Sequence, residues 1–376
     1  MHTKKNNTPD IGGIALKAAR EGEKVPVAFK GMMTSDNVEF YDSIQQLHNI
    51  YLSNLIRPED CNRLLIIRHF NKSADIYIND FQIMYSIRAK ENIEKGSPVF
   101  KKDIADINEM KFPDVNIAEN DQIIFLNRVG WKFGLYFDFH ANTGFERENK
   151  KLNLVELYTE LGILHRSLLF EKEYSILQNS VLFEKMINDG WFPFIQLLDK
   201  DYQELSTLYE NEWYDKIDEW VSRFDATRIS NITKYWWANK KYIDKKEIIE
   251  AGINAYLENS KSGFINSIHN LYTQIEGILR LEFFAEKNRK PTFKELSSFV
   301  RDKAIRNFST PDSLGFSSHF YEYIDKYFFK NFDLSSGNID LSRHTVSHGV
   351  AEVSDYNKSR ALQAILLLDQ IRFYIK

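Results

Sequence analysis

Arg343 and His348 stand near the end of the chain, in the run Ser342-Arg343-His344-Thr345-Val346-Ser347-His348-Gly349. As residue types they suit one chemistry. A guanidinium is a permanent planar cation whose fork of donors matches a phosphate. An imidazole is the side-chain type that titrates nearest neutrality, so it can exchange a proton with a ribose oxygen. Together the two can cleave a ribose–phosphate linkage without a metal. His344 adds a second imidazole directly after the arginine and shares a helix face with His348. Such a pair could bind zinc. Thr345, however, stands where a metalloprotease would carry its glutamate, and no third ligand is obvious nearby. The expectation is no metal and no cofactor.

Five residues along an ideal helix turn through about 500°, so Arg343 and His348 point about 140° apart. Either the arginine sits at a helix start and reaches round, or two copies of the motif meet across a two-fold axis. Asp340 or Ser342 could cap the helix that carries them, after a break at Ser335-Ser336-Gly337-Asn338. Upstream, Phe264, Ile268, Leu271, Ile275 and Ile278 form one apolar helical stripe. Glu276 adjoins it and Arg280 follows four residues later. They are either an ion pair on one helix face or a support in which Glu276 holds Arg343. A helix over 292–306 begins just after Pro291, then come a loop over 309–317 and a short aromatic helix over 319–329. The last helix, 358–376, is apolar on nearly every side from Ala361 to Leu368. A helix of that kind is buried in its own bundle or against a partner subunit.

An Arg-x4-His motif with a polar residue after the arginine, on a late helix of a small helical bundle, resembles the HEPN superfamily (higher eukaryotes and prokaryotes nucleotide-binding domain). Asp355-Tyr356, the run Ala364-Ile365-Leu366-Leu367-Leu368-Asp369, and Gln274-Ile275-Glu276-Gly277-Ile278-Leu279-Arg280 add to the likeness. It is a likeness to the HEPN proteins of prokaryotic defence and abortive-infection systems, and it covers roughly residues 262–376. The resemblance implies a metal-independent endoribonuclease acting as a homodimer. The ribose 2′-oxygen would attack the adjacent phosphorus, leaving 2′,3′-cyclic phosphate and 5′-hydroxyl ends. His348 would be the acid or base, Arg343 would stabilise charge on the phosphoryl oxygens, and His344 would orient the phosphate or support the pair. A requirement for the 2′-oxygen would select RNA over DNA. The alternative is a HEPN-like module that binds RNA, a nucleotide or a partner protein and cuts nothing.

The rest of the chain bounds this reading. Its 376 residues allow two or three domains. The net charge is −4, so any RNA contact must come from a local basic patch. Lys234, Trp236, Trp237, Lys240 and Lys241 interleave bases with rings. They could be a strand-binding surface, or a helix with an aromatic core face and solvated lysines. The lone cysteine, Cys61, excludes an internal disulfide and any all-cysteine metal site. It reads as an inert thiol in a reducing cytoplasm. No run reaches the roughly 18 apolar residues of a membrane span.

The fold class expected is α+β, in three segments. Residues 1–150 read as mixed α and β, after a frayed polar tail at 1–10. Short β-type runs lie at 64–68 and 75–78. Ile123-Ile124-Phe125-Leu126, a break at Asn127-Arg128-Val129-Gly130, and an aromatic strand from Trp131 to Phe139 suggest a hairpin with its rings in the core. The resemblance does not extend to this region, which is expected to sense a regulatory ligand or phage-derived trigger, or to hold the nuclease off. A polar stretch at 142–151 marks a boundary. Residues 151–258 read as helical, with runs at 152–169 and 204–224. A second break at 259–263 opens the bundle over 259–376.

Overall fold

Unbroken apolar runs build the central strands of the five-stranded sheet, so both of its faces are buried. A computed structural model describes residues 14–15, 18–25, 27–28, 30–52, 55–57, 60–139, 151–308, 313–331 and 341–375. The tail at 1–10, nearly all of the boundary at 142–151, residues 309–312, the break at 335–338 and Asp340 lie outside the described residues. The strands are β1 (Ile14–Ala15), β2 (Val27–Ala28), β3 (Lys30–Thr34), β4 (Arg63–Arg68), β5 (Ala74–Ile78), β6 (Met84–Ala89), β7 (Ile104–Lys111), β8 (Gln122–Val129) and β9 (Lys132–Asp138). The helices that accompany them are α1 (Val38–Leu47) and α2 (Leu154–Leu169). Five strands pair antiparallel in the order β3-β9-β8-β4-β5, while β1 pairs with β2 and β6 with β7.

The period of two decides which residues face which layer. Leu65, Ile67, Ile123, Phe125 and Tyr136 point to a core closed by Leu157, Leu161, Leu164 and Leu168 of α2. Leu64, Ile66, Ile124, Leu126 and Leu135 point to the opposite core, with Phe40 of α1. The expected hairpin exists, with two corrections. Asn127, Arg128 and Val129 continue β8, because Val129 pairs with Lys132 and leaves only Gly130 and Trp131 for the turn. Trp131 sits at that tip and is 90% exposed, so it is not a core ring.

The remaining helices are α3 (Glu171–Gln178), α4 (Ser180–Asn188), α5 (Lys200–Glu210), α6 (Ile217–Ser222), α7 (Ala226–Thr233), α8 (Lys240–Ile243), α9 (Lys246–Leu257), α10 (Lys261–Lys287), α11 (Phe293–Phe308), α12 (Ser317–Tyr323), α13 (Arg343–His348) and α14 (Lys358–Tyr374). The single run expected over 204–224 is therefore two helices; Glu212, at φ +57°, interrupts it. The class is α+β: antiparallel sheet first, helices after.

The chain divides into two compact units, and not at the expected boundaries. One holds residues 1–87 and 107–171; the other holds 88–106 and 172–376. The first boundary moves past 150 because α2 closes the sheet core of the first unit. Nothing separates 151–258 from 259–376 as expected. Asn259, at φ +51°, is only the turn through which α9 folds back onto α10.

In the second unit, α14 touches α6, α9, α10 and α11. Every residue from Ala361 to Tyr374 is buried within the one chain. The polar ones are bonded inward. Asp369 accepts from Trp236 Nε1 at 2.7 Å, Gln196 Nε2 at 2.8 Å and Arg372 Nε at 3.1 Å. Gln363 donates to the Asp189 carbonyl at 2.7 Å. Of the two burials open to this helix, its own bundle or a partner subunit, the structure shows the first.

Candidate functional site

The motif helix α13 is short because both ends are fixed. Ser342 caps it: its hydroxyl accepts from the Thr345 amide at 3.3 Å, and Thr345 Oγ1 accepts from the Ser342 amide at 2.7 Å. Gly349 ends it at φ +68°, a conformation that costs glycine little. Arg343 is thus the first helical residue and His348 the last, about 7.5 Å apart along the axis.

Arg343 lies on α10. Its Nε is ion-paired with Glu276 Oε2, and one terminal nitrogen donates to Ser347 Oγ. The arginine side chain is 18% exposed and the glutamate 8%. The other oxygen of Glu276 accepts from Arg280 Nε at 2.5 Å. One buried carboxylate therefore bridges two guanidinium groups. Both sequence readings of Glu276 are realised at once, as a helix-face pair with Arg280 and as a support for Arg343. Arg280 also donates to the Pro291 carbonyl at 3.1 Å and lies 4.9 Å from the centre of the Phe293 ring.

His344 and His348 part company. The His344 ring meets Phe293 edge-on at 4.4 Å, and Phe293 in turn packs on Phe329 at 5.4 Å. Its Nε2 is buried without a hydrogen-bond partner among the described residues. Burial first, and then the neighbouring Arg343 charge, hold its pKa below the usual histidine value. His344 is therefore neutral at pH 7 and seated on an aromatic wall, a poor position for a cationic phosphate contact. His348 is exposed at the far end of α13. Among the described residues no group of three or more His, Cys, Asp or Glu side chains is arranged to hold a metal ion.

The basic–aromatic stretch does not form a stacking strip. Trp236 is fully buried and bonded to Asp369, so it cannot receive a base; this corrects its reading as an RNA contact. Lys241 is paired with Glu282, and Lys234 with Glu91 at 2.8 Å. Trp237 is half-buried, with Lys246 Nζ 5.5 Å from its ring centre, and Lys240 is exposed. Alternating residue types could not say which rings face inward.

Sequence reasoning missed Ser347 and Phe293. Ser347 follows Arg343 by four residues, a helix-face spacing that could have flagged it. Phe293 has no local signal, because its role depends on the chain returning at His344. Elsewhere, Cys61 is buried and burial pushes its thiol pKa up, in keeping with an unreactive side chain. No helix among the described residues is long and apolar enough to cross a membrane. Comparison with protein-family models, with curated proteins and with solved structures finds no match for this chain.

Proposed function

We propose that the protein is a metal-independent endoribonuclease whose centre is built on Arg343, His348 and Glu276. The observation that supports this most is the ion pair between Arg343 and the buried carboxylate of Glu276. It fixes a long, rotamer-rich side chain at the start of a helix whose last residue is an exposed histidine. Preset orientation of a charged group is what transition-state stabilisation needs, because no reorganisation is then spent during reaction. In this reading Arg343 turns its terminal donors to the phosphoryl oxygens while its Nε stays on Glu276. His348 moves the proton at a ribose oxygen. His344 packs the wall behind them, and its lowered pKa disfavours the charged form there.

The resemblance to HEPN proteins extends the proposal to a defence or toxin effector acting as a homodimer. The first unit, which that resemblance does not reach, would then be regulatory. A concavity of about 680 Å³ there, lined in part by Lys30, Tyr136, Asp138, Glu156 and Glu160, is a place to seek its ligand.

The test is incubation of the purified full-length protein with RNA, with and without EDTA, followed by end analysis. The expected result is 2′,3′-cyclic phosphate and 5′-hydroxyl ends in both. Arg343→Ala and His348→Ala should each abolish them while leaving the melting temperature of the exposed-site variant, His348→Ala, unchanged. Intact RNA with wild-type protein, or activity that needs a divalent ion, would overturn the reading. Mixing the two inactive variants tests the dimer: a shared site regains activity.

A further inference from the structure

A metal-free attack by a 2′-hydroxyl has two proton transfers to serve. One group takes the 2′ proton as the O2′–P bond forms; another gives a proton to the 5′-oxygen as the P–O5′ bond breaks. Arg343 can do neither, and His344 is turned into Phe293. His348 can do one.

Two contacts fix how the motif segment runs along α10. Arg343 is paired with Glu276, and the Val353 carbonyl accepts from Lys261 Nζ. The chain from Arg343 to Val353 therefore runs back towards the N-terminal end of α10. His348 is midway along that segment. Midway between Glu276 and Lys261 on α10 stands His269. Seven helical residues turn through about 700°, within about 20° of two full turns, so His269 shares the face of α10 that carries Glu276. His269 is exposed, and its ring is held by stacking on the buried Tyr356 at 5.4 Å and 14° between planes.

We propose that His269 is the second proton-transfer group of the site, serving the opposite end of the scissile linkage from His348. The inference rests on the ribonuclease reading above. It adds that one chain carries both the acid and the base. The proton leaves the 2′-hydroxyl to one imidazole, the other imidazolium protonates the departing 5′-oxygen, and exchange with water resets both.

The test is a pH–rate profile of the full-length protein on a single-stranded RNA oligonucleotide. Wild type should give a bell-shaped kcat/KM. His269→Gln should lower kcat about 10²- to 10³-fold, with KM changed less than about threefold and one limb of the bell lost. A substrate with sulfur at the 5′-bridging position needs no proton to leave. It should restore whichever of His269→Gln and His348→Ala lacks the acid, and not the other. His269→Gln within threefold of wild type with the same bell, beside an inactive His348→Ala, would overturn this inference alone. Wild-type protein that makes no cyclic-phosphate ends would overturn the ribonuclease reading and this with it.

Discussion

Glu276→Gln is the perturbation that bears most directly on the site. The carboxylate bridges Arg280 and Arg343 and is itself buried, so the amide leaves two guanidinium groups facing each other without their counter-ion. Removing one partner of a buried ion pair costs about 3–5 kcal/mol. Arg280 is 34% exposed and Arg343 18%, so water recovers part of that loss. The amide oxygen also keeps one neutral hydrogen bond. A cost of about 2 kcal/mol is the reasoned value, within the range for hydrogen bonds to charged groups. For a cooperative unit of this size it lowers the melting temperature by about 4–8 °C. The second consequence is kinetic. Arg343 loses its anchor, and a misplacement of about 1 Å at a reacting centre costs on the order of 10²-fold in rate. Calorimetry reads the first effect and cyclic-phosphate release the second. A double-mutant cycle with Arg343→Met should give a coupling above about 1 kcal/mol. If Glu276→Gln melts within a degree of wild type and the cycle shows no coupling, the bridge is not a structural feature of the folded protein. If it melts low but cleaves at the full rate, the anchoring argument is wrong and only the stability argument survives.

The first unit should respond to pH in two opposite ways. Hydrogen bonds to Asp121 and then to Asp75 raise the pKa of His69 above its ordinary 6.5. Its contribution is thus complete below about pH 6.5 and is lost as pH rises through the raised value; Asp121→Asn should flatten that alkaline loss in thermal melts. Burial, with Arg63 adding to it, pushes His165 down to about 4. Stability therefore falls as pH drops from about 6.5 towards 4, by about 2–3 kcal/mol in all, and His165→Gln should remove that acid limb. In the second unit, Gly190→Ala should cost about 3 kcal/mol. Its φ is +78°, and an added Cβ would stand 2.3 Å from Gln363 Oε1 and 2.4 Å from Tyr327 Cζ. A melting temperature within a degree of wild type would count against that packing.

Periodicity made much of this fold readable. The stripe Ile268, Leu271, Ile275 and Ile278 is the buried face of α10, and the apolar run at 123–126 is a strand buried on both faces. The i, i+4 spacing of Glu276 and Arg280 was equally plain. What was not readable depends on partners distant in sequence. Trp236 reads either as a stacking ring or as a core ring among lysines until Asp369, from α14, accepts its N–H. Trp131 looks like core until the register with Lys132 makes it a turn. In α14, Gln363, Asp369, Gln370 and Arg372 interrupt an apolar helix, and only the enclosing helices show that their partners lie inside the same chain.

That last point changes the weight of the dimer. One argument for it was that a helix as apolar as α14 could be buried against a partner subunit, and α14 is enclosed by its own unit. The other was angular: Arg343 and His348 diverge on a helix, so a single motif makes a poor site. The divergence is present, but α13 is only six residues long, and its orientation is set by what it touches. Glu276 holds the start of the segment and Lys261 its continuation, so the face proposed for catalysis belongs to α10 more than to α13. A helix of 27 residues can present several groups along one line. With His269 on that line, the chain offers an arginine and two exposed histidines without a second copy. A dimer would then double the number of sites, where a shared-site dimer would complete one. Mixing Arg343→Ala with His348→Ala protein separates these cases. Recovered activity means that residues cross between chains; none, from a mixture that still forms dimers, means that each chain works alone.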